Sequence, residues 1–412
     1  MLTKLIENYG KPLVASACRD IIEQARTGAE ITDYPAEVER FLSTHFNPQE
    51  VINATGDPIH YGLPFFPVWQ QSPQIALTDT APVFSNPQKA FALVTSALGF
   101  PCSVLTPNLL AALGLVTWLL REHSINTLVV ARREMVRLQA GNIADLCRAV
   151  SINLLEVGTS NKTGADDYST AQQESPAKSA LLTVHSPFVQ IQGFSDRPEN
   201  QEMVQIAQKH NSPRLLILDG ALPTSPEGLC FRPDLCIDRS ISDGLDIIIV
   251  NGYGLMGLAE GALVIGQGKW GEILQSQRIV EGAGIWLAGG ELTSLVSAQL
   301  ANYCRRGWER LHPAISLIHQ DEKKEKSKAM KLAKLLRPFW GELKAQRIMG
   351  FCLGEMRPGW AVELTITDQV RSHLHHQGVY YLSDGNQAIF FTRALTGQQM
   401  GKLTYILSET EK

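Results

Sequence analysis

The spacing of apolar positions divides this chain into three regions before any residue is given a chemical role. Val14, Ala17, Cys18, Ile21, Ile22 and Ala25 recur at helical intervals, so the spacing predicts an amphipathic helix over about 12–26 and, with a second from Pro35 to Thr44, a helical unit over 1–46. The next stretch, 47–87, carries seven prolines between Asn47 and Pro87 and reads as an irregular connector. From there to Gly266, short apolar runs alternate with helical segments: Thr127 to Val130, Leu181 to Val184, Leu215 to Leu218, Ile247 to Val250 and Ala262 to Ile265. Such alternation predicts an α/β domain over 47–313, with a mostly parallel sheet covered by helices on both faces. After a helix over Glu291 to Arg305 and a basic one over Asp321 to Arg337, strand patterns return (AVELTIT at Ala361, AIFFT at Ala388), and 314–412 is expected to form a smaller α/β domain.

Composition narrows the class without naming a chemistry. With 44% hydrophobic and 19% charged residues and a formal net charge of −4, the chain reads as a soluble globular protein with no general electrostatic case for nucleic acid or an anionic membrane. The seven cysteines have no close C-x-x-C pair, which suits reduced thiols better than a disulfide framework or a zinc site. The start, MLTKLIENYGKPL, lacks the apolar core of a signal peptide, and no run is long enough to span a membrane, so a cytoplasmic protein is expected.

In an open parallel sheet, ligands gather beyond the carboxyl ends of the strands. Here His185, Asp219 and Asn251 each follow an apolar run directly. Imidazole titrates near neutrality, so His185 is a candidate to stack on a planar ring or to carry a proton, against the alternative of a buried histidine satisfied by backbone. The cluster His373, His375 and His376 has no cysteine or carboxylate at ligand spacing and reads as a solvated helix end. The chain has neither a G-x-S-x-G elbow nor a G-x-x-x-x-G-K-[ST] loop.

Several ordered motifs, VINATGDPIHYG (Val51 to Gly62), RREMVRLQAG (Arg132 to Gly141), LLEVGTSNKTGADDY (Leu154 to Tyr168), LLTVHSPFVQIQGF (Leu181 to Phe194) and LDG around Asp219, resemble bacterial selenocysteine synthase. That family, the L-seryl-tRNA(Sec) selenium transferases, consists of fold-type-I pyridoxal-phosphate enzymes. The resemblance implies a fold-type-I sheet with small terminal domains, a homo-oligomer (dimer or larger ring), and a cofactor pocket around Asp219, His185, Asn108 and Asn251. It assigns to Asp219 the carboxylate that pairs with the pyridine nitrogen.

The departures from the family fall on its chemistry. The lysine loop S-G-D-K-L-L-G-G-P-Q stands here as NGYGLMGLAE (Asn251 to Glu260), which places Gly254 at the Schiff-base position and Asn251 at the phosphate-binding serine. The phosphate cup N-N-N-A-A-A is TPNLLA (Thr106 to Ala111), which keeps Asn108 but sets Leu109 and Leu110 where alanines let an anion approach a helix N-terminus. The R-G-H-R stretch is VFSNPQK (Val83 to Lys89), with Lys89 as its cation. Lys162 and Lys269, the other lysines weighed as amine donors, read as loop residues. The expectation is a non-catalytic binding or assembly relative with no covalently held cofactor, acting through a homo-oligomer or an active paralogue. The alternatives are an enzyme using noncovalent pyridoxal or pyridoxamine phosphate through Asp219 and His185, and a tRNA-binding factor using the N-terminal helical unit, which the family resemblance implies and net charge and residue pattern do not support.

Overall fold

The structure is a computed structural model that describes residues 2–9, 11–28, 31, 33–46, 51–55, 57–59, 86–174, 178–189, 198, 200–227, 229, 231–276, 284–318, 321–353 and 355–410. Most of the proline-rich stretch, the His60–Gly62 end of the first family motif, and Val83 to Ser85 lie outside these residues.

Three helices, α1 (Leu2–Tyr9), α2 (Lys11–Arg26) and α3 (Tyr34–Phe46), bury Leu5, Val14, Ala17, Ile21, Val38 and Leu42 against one another in a small core of their own. Burial of one apolar stripe per helix is the arrangement their spacing predicts.

The main domain is built on seven strands: β2 (Cys102–Thr106), β3 (Ile125–Ala131), β6 (Asn153–Val157), β7 (Lys178–His185), β8 (Arg214–Leu218), β9 (Ile247–Asn251) and β10 (Ala262–Gly266). Their order is β2-β10-β9-β8-β7-β3-β6, all parallel except β10, which runs antiparallel to both its neighbours. β8, β9 and β10 are buried at every position, as continuous Leu/Ile/Val runs in a doubly covered sheet should be. The two strands that the run pattern did not single out, β2 and β6, are the sheet's edges. There, partial exposure (Cys102 to Val104, Asn153 to Glu156) breaks the apolar run that would have marked them. One face is covered by α5 (Leu109–Glu122), whose Leu109, Ala112, Leu113, Val116 and Leu120 pack with Leu182, Ile217, Ile249 and Val264. The other face packs Leu218, Val250 and Leu263 on Leu222, Leu235, Val296 and Tyr303.

The smaller sheet has the order β1-β13-β14-β12-β11, from β1 (Ile52–Ala54), β11 (Ala345–Cys352), β12 (Glu355–Thr365), β13 (Val379–Asp384) and β14 (Gln387–Phe391). Its helices, Glu322–Trp340 and Gly397–Glu409, bury Leu332, Leu336, Leu403 and Leu407 against it. β1 departs from the sequence expectation. Instead of belonging to an irregular connector, Ile52, Asn53 and Ala54 pair in parallel with Val379, Tyr380 and Tyr381. Just beyond β1, Ile59 enters the core of the main domain together with Cys352 and Leu353 from the β11–β12 turn. No helix among the described residues is long and apolar enough to cross a membrane.

Candidate functional site

Asp219 follows β8 at the carboxyl end of the parallel strands and is fully buried. Its side chain is met by donors from three directions. The Gln139 backbone N–H donates to Oδ2 at 3.0 Å, the Ser186 hydroxyl donates to the same oxygen at 3.3 Å, and Asn251 Nδ2 donates to Oδ1 at 3.2 Å. All three donors are neutral, so burial outweighs them and pushes the carboxyl from 3.8 up to about 7.

Gln139 sits on the two-residue turn joining β4 (Arg137–Leu138) to β5 (Gly141–Asn142), a short hairpin folded over the strand ends. Its side chain enters the site: Asn251 Nδ2 donates to its Oε1 at 2.8 Å, and its Nε2 is buried with no hydrogen-bond partner among the described residues. Asn251, at the end of β9, holds the turn that follows by accepting from Tyr253 N at 3.3 Å. That turn brings Gly254 against Gln139 with φ +89°, a conformation that favours glycine. A Cβ at Gly254 would lie 3.0 Å from Gln139 Nε2 and 3.2 Å from Oε1, tighter than ordinary contact.

The four positions drawn from sequence are therefore not all in one place. Asp219 and Asn251 share the pocket, and Gly254 borders it through Gln139. Asn108 caps α5 at the end of β2, its Oδ1 accepting from Ala111 N at 2.9 Å; Leu109 behind it is buried and Leu110 half-exposed. His185 stands on the other sheet face, because it is in register with Leu218 rather than with Asp219. Its Nδ1 lies 2.9 Å from the Asp234 carbonyl, and Asp234 is gripped by Arg232 through bonds of 2.7 and 3.1 Å. There His185 lines a cavity of about 470 Å³ with Glu134, Tyr168 and Thr183. The residue level with Asp219 is Ser186.

Neither Gln139 nor Ser186 was singled out from sequence. Ser186 needed the register between β7 and β8, and Gln139 lies on a Gln-Ala turn between two-residue strands, which lacks the Asn-Gly or Asp-Gly pair and the long flanking strands that mark a hairpin in sequence. Lys162 is exposed in the 159–162 turn after β6, and Lys89 is exposed on α4 (Pro87–Ala97). Lys269 lies at the opposite end of the sheet, with its ammonium 5.5 Å from the Trp270 ring and beside Arg214 and Asp246.

The model of the SelA family, L-seryl-tRNA selenium transferase, matches residues 104–353. The L-seryl-tRNA(Sec) selenium transferase of Haemophilus influenzae is 27% identical over 365 residues, covering 81% of this chain and 77% of that one. The corresponding protein of Aquifex aeolicus is 25% identical over 370 residues, covering 82% and 79%. Among solved structures, D-glucosaminate-6-phosphate ammonia-lyase aligns with a TM-score of 0.61 over 90% of this chain and 98% of its own, at 18% identity, which speaks for the fold alone. The matched span runs from β2 through the whole pocket to the β11–β12 turn, more than half of the 412 residues, and the chain belongs to the L-seryl-tRNA selenium transferase family.

Proposed function

We propose that this chain is a member of its family that works by binding or assembly and forms no imine with pyridoxal phosphate. The contact between Gly254 and Gln139 carries the reading. An internal aldimine needs a primary amine, and position 254, which the resemblance aligns with the family's lysine, supplies none. Its positive φ and the Gln139 amide 3.0 Å from its Cβ direction also work against a longer side chain there. Lys162 and Lys269 sit in other parts of the fold and offer no substitute. Asp219, the partner the resemblance assigns to the pyridine nitrogen, already has both oxygens engaged by Gln139, Ser186 and Asn251. These residues do not fit pyridoxal phosphate as a covalently held group.

In this reading the glycine at 254, the leucines at 109 and 110 and the loss of cations in VFSNPQK belong to one change, the lapse of selection for a single ligand. The retained fold then serves assembly, with further copies of the chain as a dimer or larger ring, or with an active relative. The position of Asp219 at the end of β8 favours one alternative, noncovalent pyridoxal or pyridoxamine phosphate. Transfer RNA is a further partner class, supported by the names of the relatives.

The test is borohydride reduction after incubation with pyridoxal phosphate, followed by peptide mass spectrometry, together with absorbance at roughly 330–430 nm before and after dialysis. The reading expects no pyridoxyl adduct on the pocket peptides and no band that survives dialysis. An adduct there sinks it, whereas a persistent band without an adduct selects the noncovalent alternative. Retention of tRNA on a filter with a steep salt dependence would establish the RNA partner.

A further inference from the structure

Behind the pocket, the turn that carries Gly254 is held by a hydrogen-bond chain whose direction can be deduced atom by atom. His312 is completely buried, and its Nδ1 lies 3.1 Å from the backbone nitrogens of both Ala314 and Ile315. Backbone N–H groups only donate, so Nδ1 is an acceptor without a proton, and the ring's proton resides on Nε2. Nε2 faces Tyr303 Oη at 2.9 Å and donates to it. The Tyr303 hydroxyl then donates to the Met256 carbonyl at 2.8 Å. The imidazole also lies against the Leu255 and Met256 carbonyls, and Tyr303 packs on Trp308 with ring centroids 4.8 Å apart.

Each group in this chain has one role that it cannot exchange. A second proton on His312 would point Nδ1–H at two other N–H groups, and burial drives its pKa from 6.5 down to about 3. The turn it meets has two glycines in left-handed backbone, Gly254 and Gly257 with φ of +89° and +69°, and is tied within itself by Gly257 N donating to the Gly254 carbonyl at 2.9 Å and Leu258 N to the Gly252 carbonyl at 3.1 Å. Leu255 and Met256 between them are fully buried.

We propose that Tyr303 and His312 are the positioning pair of this site: a neutral histidine of fixed tautomer, acting through tyrosine, holds the turn at Met256 and thereby keeps Gly254 against Gln139. The assignment stands whatever the pocket binds, so it does not depend on the function proposed above.

Selective ¹⁵N-histidine labelling of the full chain tests the tautomer, and hydrogen exchange of wild type and Tyr303→Phe tests the positioning. His312 should show a proton on Nε2 alone and should not titrate over roughly pH 5–8. Removing the tyrosine hydroxyl should speed exchange in the peptide covering 252–258 by about tenfold, the worth of one buried hydrogen bond, with β8 and β3 unchanged. A titrating His312, a proton on Nδ1, unchanged exchange at 252–258, or an even increase over the whole sheet would overturn the assignment. If Tyr303→Phe does not fold, the tautomer and titration of the wild-type chain decide the matter.

Discussion

Asp219→Asn isolates the electrostatics of the pocket in a single atom replacement. The native carboxyl is fully buried and faces three neutral donors, with its pKa raised from 3.8 to about 7 by burial. Between those values the folded chain holds a proton that the unfolded chain has released. The contribution of Asp219 to stability is therefore complete at low pH and is lost as the pH rises through about 7. At about 1.4 kcal/mol per tenfold change, the full loss is on the order of 4 kcal/mol. Asparagine does not ionise, but it turns an N–H₂ toward groups that themselves donate, so the variant should be less stable than wild type in acid by about 1–3 kcal/mol.

As the pH rises the difference should shrink and then reverse, because the wild type alone carries a buried charge. Urea unfolding of both proteins at half-unit steps from pH 4.5 to 8.5 measures the crossing. Asp57, also buried and raised to about 7, gives both proteins the same background slope, which cancels in the comparison. Two curves that stay parallel across the range would refute the claim that Asp219 is held without a cation.

Two further outcomes follow from the same geometry. Gly254→Lys should cost about 1–3 kcal/mol of stability for its positive φ and should recover part of that loss when combined with Gln139→Ala, as read from thermal midpoints; additive losses would show that Gln139 does not crowd the position. Glu325→Gln removes one buried carboxylate partner of Arg393 (3.4 Å) while the Asp57 carboxyl and the Pro358 carbonyl stay beside the guanidinium, so denaturant titration should show a loss of about 1–3 kcal/mol, that of a charged hydrogen-bond partner rather than of a fully unpaired buried charge.

The sheet's central strands were legible because continuous burial leaves an unbroken apolar run, as in Ile247 to Val250, and the polar residues ending those runs led to Asp219 and Asn251. His185 shows where that reasoning stops. Three polar residues each follow an apolar run, but the run in β7 ends at Val184, level with Ile217 and one residue short of the end of the run in β8, so Ser186 rather than His185 stands beside Asp219. A shift of one residue reverses every side chain, and register is set by neighbouring strands that a run of letters does not display. Gln139 escaped for a different reason: its backbone and side chain act on residues about 80 and 112 positions away, and only the folded hairpin brings them together.

The pairing of β1 with β13 means that a segment lying ahead of the main sheet in the chain completes the sheet of the carboxyl-terminal region. A fragment cut at the outer boundary, near 314, would carry four strands of the small sheet and leave the flank of Val379 to Tyr381 bare, with hydrogen-bonding groups open to any passing strand. The carboxyl-terminal region is thus not a detachable cassette. Exchange of this region between relatives would have to include the stretch around Ile52, more than two hundred and fifty residues upstream by count.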